Sequence, residues 1–177
     1  MIRYFFLSLL LAVSLNSSAD DTDSYKLGAG DYISISVYGE SDLSIQVRIG
    51  SSGSISYPFL GDVSVSGLTA KQLEEKILSG LKGPYLVDPN VTVSMLEYRP
   101  FYVNGEVKRP GSYAFQPGLT VDRAISIAGG FTDRASRSKI NVERNDSGVS
   151  GERTKKAVKL QDTILPGDVL TVEQSFF

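Results

Sequence analysis

The chain has 177 residues, 41% of them hydrophobic and 21% charged, which is room for one medium domain or two small ones around a packed core. It contains no Cys, His or Trp, and this excludes thiolate nucleophiles, disulfides, Ser-His-Asp triads and zinc sites built from Cys or His. A net charge of -2 argues against a nucleic-acid-binding protein, which needs a basic face.

Residues 1–19 read as a signal peptide. Arg3 gives a positive start, Tyr4 to Val13 is apolar apart from Ser8, and Ser17-Ser18-Ala19 offers the small residues that precede cleavage, placed after Ala19. The apolar run, roughly ten residues, is far short of the ~20 that span a bilayer. With no Cys near the cleavage point to carry the lipid, a bacterial lipoprotein anchor is not expected. The expectation is a secreted or periplasmic chain that starts near Asp20.

From Asp20 to Arg99 there are 6 basic and 11 acidic residues, a net of -5; from Pro100 to Phe177 there are 11 basic and 9 acidic, a net of +2. The asymmetry fits two units or two faces of one assembly, and equally a chance imbalance on solvated loops.

Tyr25 to Asp31 is turn-rich and leads into Tyr32–Val37, whose alternation predicts a half-buried strand; Ile45–Ile49 alternates in the same way. Gly53 opens the stretch Ser54–Tyr57, which Pro58 ends or puts on an edge, and Gly61-Asp62 turns into Val63–Val65. Gly67 precedes a marked helix start. Thr69 and Gln72 form a capping box, and Leu68 and Leu73 a staple. Leu73, Ile77 and Leu81 make one apolar face, and Gly83-Pro84 stops the helix. Asp88-Pro89-Asn90 turns into a strand over Val91–Met95.

The second half begins with a strand over Phe101–Val107 that includes Gly105. Lys108-Arg109-Pro110-Gly111 then predicts a type II turn, with Pro110 and Gly111 at its centre, returning through Ser112–Phe115. Thr120 caps a short helix through Ala128, closed by a left-handed cap at Gly129-Gly130. Lys139–Arg144, Lys155–Leu160 and Val169–Glu173 read as further strands. The order is α+β: a small sheet carrying one helix, then a unit that suits a β-grasp sheet. Leu27–Ile35 is echoed by Ile164–Val172, each a Gly-Asp turn (Gly30-Asp31, Gly167-Asp168) feeding an alternating strand.

Leu27–Val37, Gly53-Ser54-Ile55 with Pro58, Gly61, Gly67 and Thr69, the helix, and Asp88–Val93 together resemble the polysaccharide export domain. Gly105–Tyr113, Leu119-Thr120 and Ala128–Phe131 resemble a soluble-ligand-binding β-grasp module. In this order they resemble bacterial outer-membrane polysaccharide export proteins, which divides the chain into residues 1–19, 20–98 and 99–177. The resemblance implies a periplasmic, outer-membrane-associated component of a capsular or exopolysaccharide export machine. It implies a homo-oligomeric ring that conducts the polymer without catalysis or cofactor, alongside an inner-membrane co-polymerase of the chain-length regulator or tyrosine kinase type. Longer members carry a lipidated Cys and a C-terminal membrane-crossing helix. This sequence shows neither, so it resembles a short form, and a separate outer-membrane β-barrel is the expected partner. The alternative is a monomeric periplasmic ligand-binding module or adaptor.

No residue set points to catalysis or a metal. Asp31, Asp62, Asp88 and Asp168 are acids of the right type for glycoside cleavage, but all sit in turns, where Asp bonds its own backbone. Lys108, Arg109, Arg134 and Arg137 are candidate contacts to an anionic polymer or to the acidic half of a neighbouring subunit, and equally a solvated surface. Tyr38 and Tyr57 are candidates for stacking on sugars as well as ordinary strand residues.

Overall fold

The computed structural model describes residues 25–145 and 153–175; the leader with Ala19, and Phe177, lie outside them. Two separate apolar clusters organise these residues, one drawn from Leu27 to Val93 and the other from Phe101 to Val172.

The first cluster forms around β1 (Tyr32–Val37), which is flanked antiparallel by β2 (Ile45–Arg48) and β5 (Val91–Glu97). Strand alternation sends Ile33, Ile35 and Val37 inward. A separate hairpin, β3 (Ser54–Tyr57) with β4 (Gly61–Ser64), adds Ile55, Tyr57 and Val63. Helix α1 (Ala70–Leu81) closes the layer with Leu73, Ile77 and Leu81. Its capping box is formed: Gln72 N–H donates to Thr69 Oγ1 at 3.2 Å, and Thr69 N–H to Gln72 Oε1 at 2.9 Å. From the same helix, Glu74 accepts the Val93 amide at 2.9 Å, giving an amide of edge strand β5 a partner.

The second cluster lies on one face of a five-stranded sheet of order β7-β6-β10-β8-β9. These strands are β6 (Phe101–Gly105), β7 (Gly111–Tyr113), β8 (Ala135–Asn145), β9 (Arg153–Ala157) and β10 (Val169–Gln174). First and last strands run side by side and parallel, Val169 opposite Tyr102. Helix α2 (Val121–Ile127) packs Val121, Ala124 and Ile125 against Phe101, Val103, Leu170 and Val172. The chain is α+β, a sheet-plus-helix unit followed by a β-grasp unit.

One predicted turn is corrected. Gly111 is a strand residue opposite Val103, and the positive φ in this hairpin belongs to Gly105, at 80°. The connection is not a tight type II turn because the end of α2 holds it: Lys108 N–H donates to Gly130 O at 3.0 Å and Arg109 N–H to Ala128 O at 2.8 Å. The predicted strand Lys155–Leu160 is also displaced, to Arg153–Ala157. Beyond it Val158 N–H still donates to Ile140 O of β8 at 3.0 Å, and its side chain packs against the core.

Gly105 has a second constraint, since a Cβ there would press on the backbone of Val172, 3.2 Å from its nitrogen. Gly105→Ala should therefore destabilise the protein by at least about 2 kcal/mol, read as a lowered midpoint in thermal or urea unfolding.

Candidate functional site

The two echoed Gly-Asp segments fold into one and the same turn. Asp31 N–H donates to Gly28 O at 3.2 Å, and Asp168 N–H to Leu165 O at 3.1 Å. In each, a glycine takes the left-handed third position, Gly30 at φ 96° and Gly167 at φ 87°. Each carboxylate reaches back to the amide three residues earlier, Gly28 to Asp31 Oδ2 at 2.9 Å and Leu165 to Asp168 Oδ2 at 2.8 Å. Both aspartates are buried, at 0% and 1% exposure. A buried carboxylate needs an opposite charge, and each has an arginine. Arg144 grips Asp168 with a two-pronged fork, Nε at 2.9 Å and a terminal nitrogen at 2.7 Å. Arg99 holds Asp31 through its backbone amide at 2.8 Å and its guanidinium at 3.3 Å.

Arg99 also joins the halves. Its Nε donates to Pro166 O at 3.1 Å, so one side chain binds both turns. A Cβ on Gly30 would lie 3.2 Å from Arg99 Cβ, and one on Gly167 2.9 Å from Arg99 Nε; glycine at these places leaves room for the arginine. Gly167 N–H donates to Pro100 O at 3.1 Å, tightening the same junction. Rings extend it: Tyr25 meets Tyr98 edge-to-face at 5.1 Å, and Tyr98 meets Phe115 of the second unit at 5.4 Å. Tyr25 Oη donates to both oxygens of Asp31, at 3.0 and 2.8 Å. Burial, reinforced by the Asp31 charge, pushes its phenol far above the ordinary value of 10.0.

The structure gathers the four candidate contact cations at one corner of the β-grasp unit. The Arg109 guanidinium donates to Ile127 O at 3.0 Å, capping the negative end of α2. Arg134 lies 3.9 Å from Glu106, and Arg137 sits over the Phe131 ring at 5.6 Å. Among the described residues Lys108 takes part in no ion pair. The turn residues divide by backbone: Gly53, Gly61, Gly67, Gly129 and Gly130 have positive φ, and Pro58 and Pro89 stand in loops. Gly129 and Gly130 end α2, with Gly130 N–H donating to Ile125 O at 2.9 Å.

The turns of Asp31 and Asp168 meet at Arg99, but the four turn aspartates do not share one site. Asp31 and Asp168 are bound to different arginines, Asp88 pairs with Lys82 at 3.4 Å, and Asp62 is exposed on β4. Tyr38 is 86% exposed. Tyr57 is not available for stacking: it is buried at 2%, donates to Leu43 O at 2.7 Å, and burial raises its phenol pKa. Sequence reasoning missed Arg99 and Tyr25. The echo held the only usable signal, since two buried aspartates require two cations.

Residues 19–96 match the family of polysaccharide biosynthesis/export proteins, and residues 100–155 match the SLBB domain. The chain belongs to the polysaccharide export family. It is 33% identical over 173 residues to the exopolysaccharide production protein ExoF of Rhizobium meliloti (strain 1021), covering 86% of this chain and 41% of ExoF. Against the polysialic acid transport protein KpsD of Escherichia coli, identity is 31% over 175 residues, or 94% of this chain and 30% of KpsD. The EPS I polysaccharide export outer membrane protein EpsA of Ralstonia nicotianae (strain ATCC BAA-1114 / GMI1000) is 31% identical over 147 residues, covering 68% of this chain and 38% of EpsA. The export-family chain thus spans less than half the length of each of these relatives.

Replacing Arg99 by Ala should cost about 3 kcal/mol, because it strands the Asp31 carboxylate in the interior, and calorimetry should then resolve two transitions where the parent shows one. Tyr25 adds a pH effect. A phenol held protonated in the fold contributes stability that is complete below its unfolded pKa and is lost as pH rises through the folded one. Tyr25→Phe should therefore cost about 1 kcal/mol near neutrality and flatten the loss of stability above roughly pH 10, measured by urea unfolding at a series of pH values.

Proposed function

We propose that this chain is a periplasmic, outer-membrane-associated component of a capsular or exopolysaccharide export machine, forming part of a ring through which the polymer passes. The observation that carries the reading is the ordered match of both units to relatives named for polysaccharide production, transport and export. On this reading residues 1–19 direct secretion and are removed after Ala19, and the working units are 20–98 and 99–177. The chain binds and guides rather than catalyses. Its partners are copies of itself, the polymer, an inner-membrane co-polymerase, and a separate outer-membrane β-barrel. Among the described residues no helix is long and apolar enough to cross a membrane, which says nothing of strands.

A head-to-tail ring is supported by the net of -5 in the first half and +2 in the second, since unlike faces of neighbouring copies attract. Lys108, Arg109, Arg134 and Arg137 are the proposed contact residues, and a weak contact suits a conduit, because a polymer held tightly would not move. A second reading, a monomeric ligand-binding module, draws on a groove of about 580 Å³ beside β9, lined by Val142, Arg144, Thr154, Lys156, Val158 and Gln161 among others. That volume is in the range of small-molecule sites.

Deleting the gene in its source bacterium and fractionating the polysaccharide separates these readings. Export predicts surface polymer reduced at least tenfold, with polymer or its lipid-linked precursors retained inside. Unchanged surface polymer in a strain with no second copy of the gene would overturn export and favour the binding module.

A further inference from the structure

Among the described residues, Phe59 is the single non-glycine residue at positive φ, 63°. It sits at the tip between β3 and β4, where Leu60 N–H donates to Tyr57 O at 3.2 Å. For a bulky side chain this backbone costs about 1–3 kcal/mol, and strain of this kind collects at functional sites. The conformation turns Leu60 inward against Gly80, where an added Cβ would lie 2.9 Å from Leu60 Cδ1. It leaves Phe59 65% exposed.

The ring is nonetheless fixed. It stacks on Tyr85 with centroids 4.9 Å apart and planes at 21°, while Tyr85 Oη donates to Phe59 O at 3.4 Å. Tyr85 follows α1, and its amide donates to Leu81 O at 3.2 Å. It is 48% exposed. Two stacked rings on two separately anchored segments therefore leave aromatic surface open to water.

We propose that Phe59 and Tyr85 form a stacking site for a pyranose ring of the exported polymer; this rests on the export function proposed above. One face of a pyranose is lined by C–H groups and fits an aromatic face, as the ring stack requires. The exposed area is on the order of 200 Å², the scale of one or two sugar rings. It is well below the ~800 Å² per partner of a specific protein interface. The loop that carries Tyr85 also carries the exposed Lys82–Asp88 ion pair, 3.4 Å apart, a donor and an acceptor for sugar hydroxyls. Rigid rings lose little entropy on binding, so weak, repeated contacts with a moving chain are possible at this place.

The test uses the whole secreted chain and two probes, neutral cellohexaose and an acidic hyaluronan hexasaccharide, followed through aromatic ¹H–¹³C NMR signals. Millimolar probe should shift the rings at positions 59 and 85 in the parent and in Tyr85→Phe. Phe59→Gly and Tyr85→Ala should each weaken binding at least fivefold. Phe59→Gly should melt at the parent temperature or above it, since glycine accepts this φ, so a lost ring is separated from a lost fold. No shift with either probe, or unchanged binding in Phe59→Gly, overturns the site. Self-association that disappears in Phe59→Gly without any probe shift also overturns it and assigns the rings to a protein contact. In cells the two proposals fail differently: full complementation of the deletion by the Phe59→Gly, Tyr85→Ala double variant sinks the stacking site alone, whereas a deletion with normal surface polymer sinks export.

Discussion

Asp31 carries its charge at 0% exposure, and a charge in that position persists only if every lone pair is met. Gly28, Arg99 and Tyr25 meet them, and the Arg99 side chain goes on to bind Pro166 of the other turn. The remaining architecture follows from this. The turn launches β1 into the first core, the arginine draws the β10 turn against it, and the chain passes directly from Arg99 into β6. Two small cores that share no residue are thereby held at one ionic joint. Its partial enclosure matters, since Arg99 is 26% exposed on its side chain and is less screened than a surface pair.

The second turn solves the same problem with a different partner. Asp168 is neutralised by Arg144 from β8, so this turn is stable within its own unit and offers Arg99 only a carbonyl. The asymmetry gives the joint a direction: Arg99, bound to the Asp31 turn, supplies the charge, and the β10 turn supplies a preformed surface. Charge is used in the same economical way elsewhere in the β-grasp unit. Arg109 caps α2, Arg134 faces Glu106, and Arg137 covers Phe131. Part of the positive excess of the second half is thus engaged locally, which weakens any long-range pull on a passing anionic chain.

The tyrosines show how position sets role. Tyr25 and Tyr57 are both drawn inward, one onto a carboxylate and one onto a carbonyl, and both phenols are held protonated by burial. Tyr85 differs because it follows the end of α1, where its amide still bonds to the last turn and its half-exposed ring stacks on Phe59. An ordered ring in water at one end of the first unit, and a buried ring at the joint, come from the same residue type.

The alternation of Ile33, Ile35 and Val37, the Thr69–Gln72 capping box and the Gly129-Gly130 cap were legible in the sequence, because each is fixed by neighbours within a few residues. The Gly-Asp echo was legible as a pattern, and its two turns are the same in backbone and side chain. What the echo could not supply was the cation for Asp31, which stands 68 residues away in the chain. Nor could Pro110-Gly111 reveal that the end of α2 would hold the hairpin open, or Tyr57 that it would be buried while Phe59, two residues on, stayed out. Local chemistry and period are written in the chain itself, whereas the pairing of a buried charge and the exposure of a ring depend on which distant surfaces meet, and only the packed structure decides that.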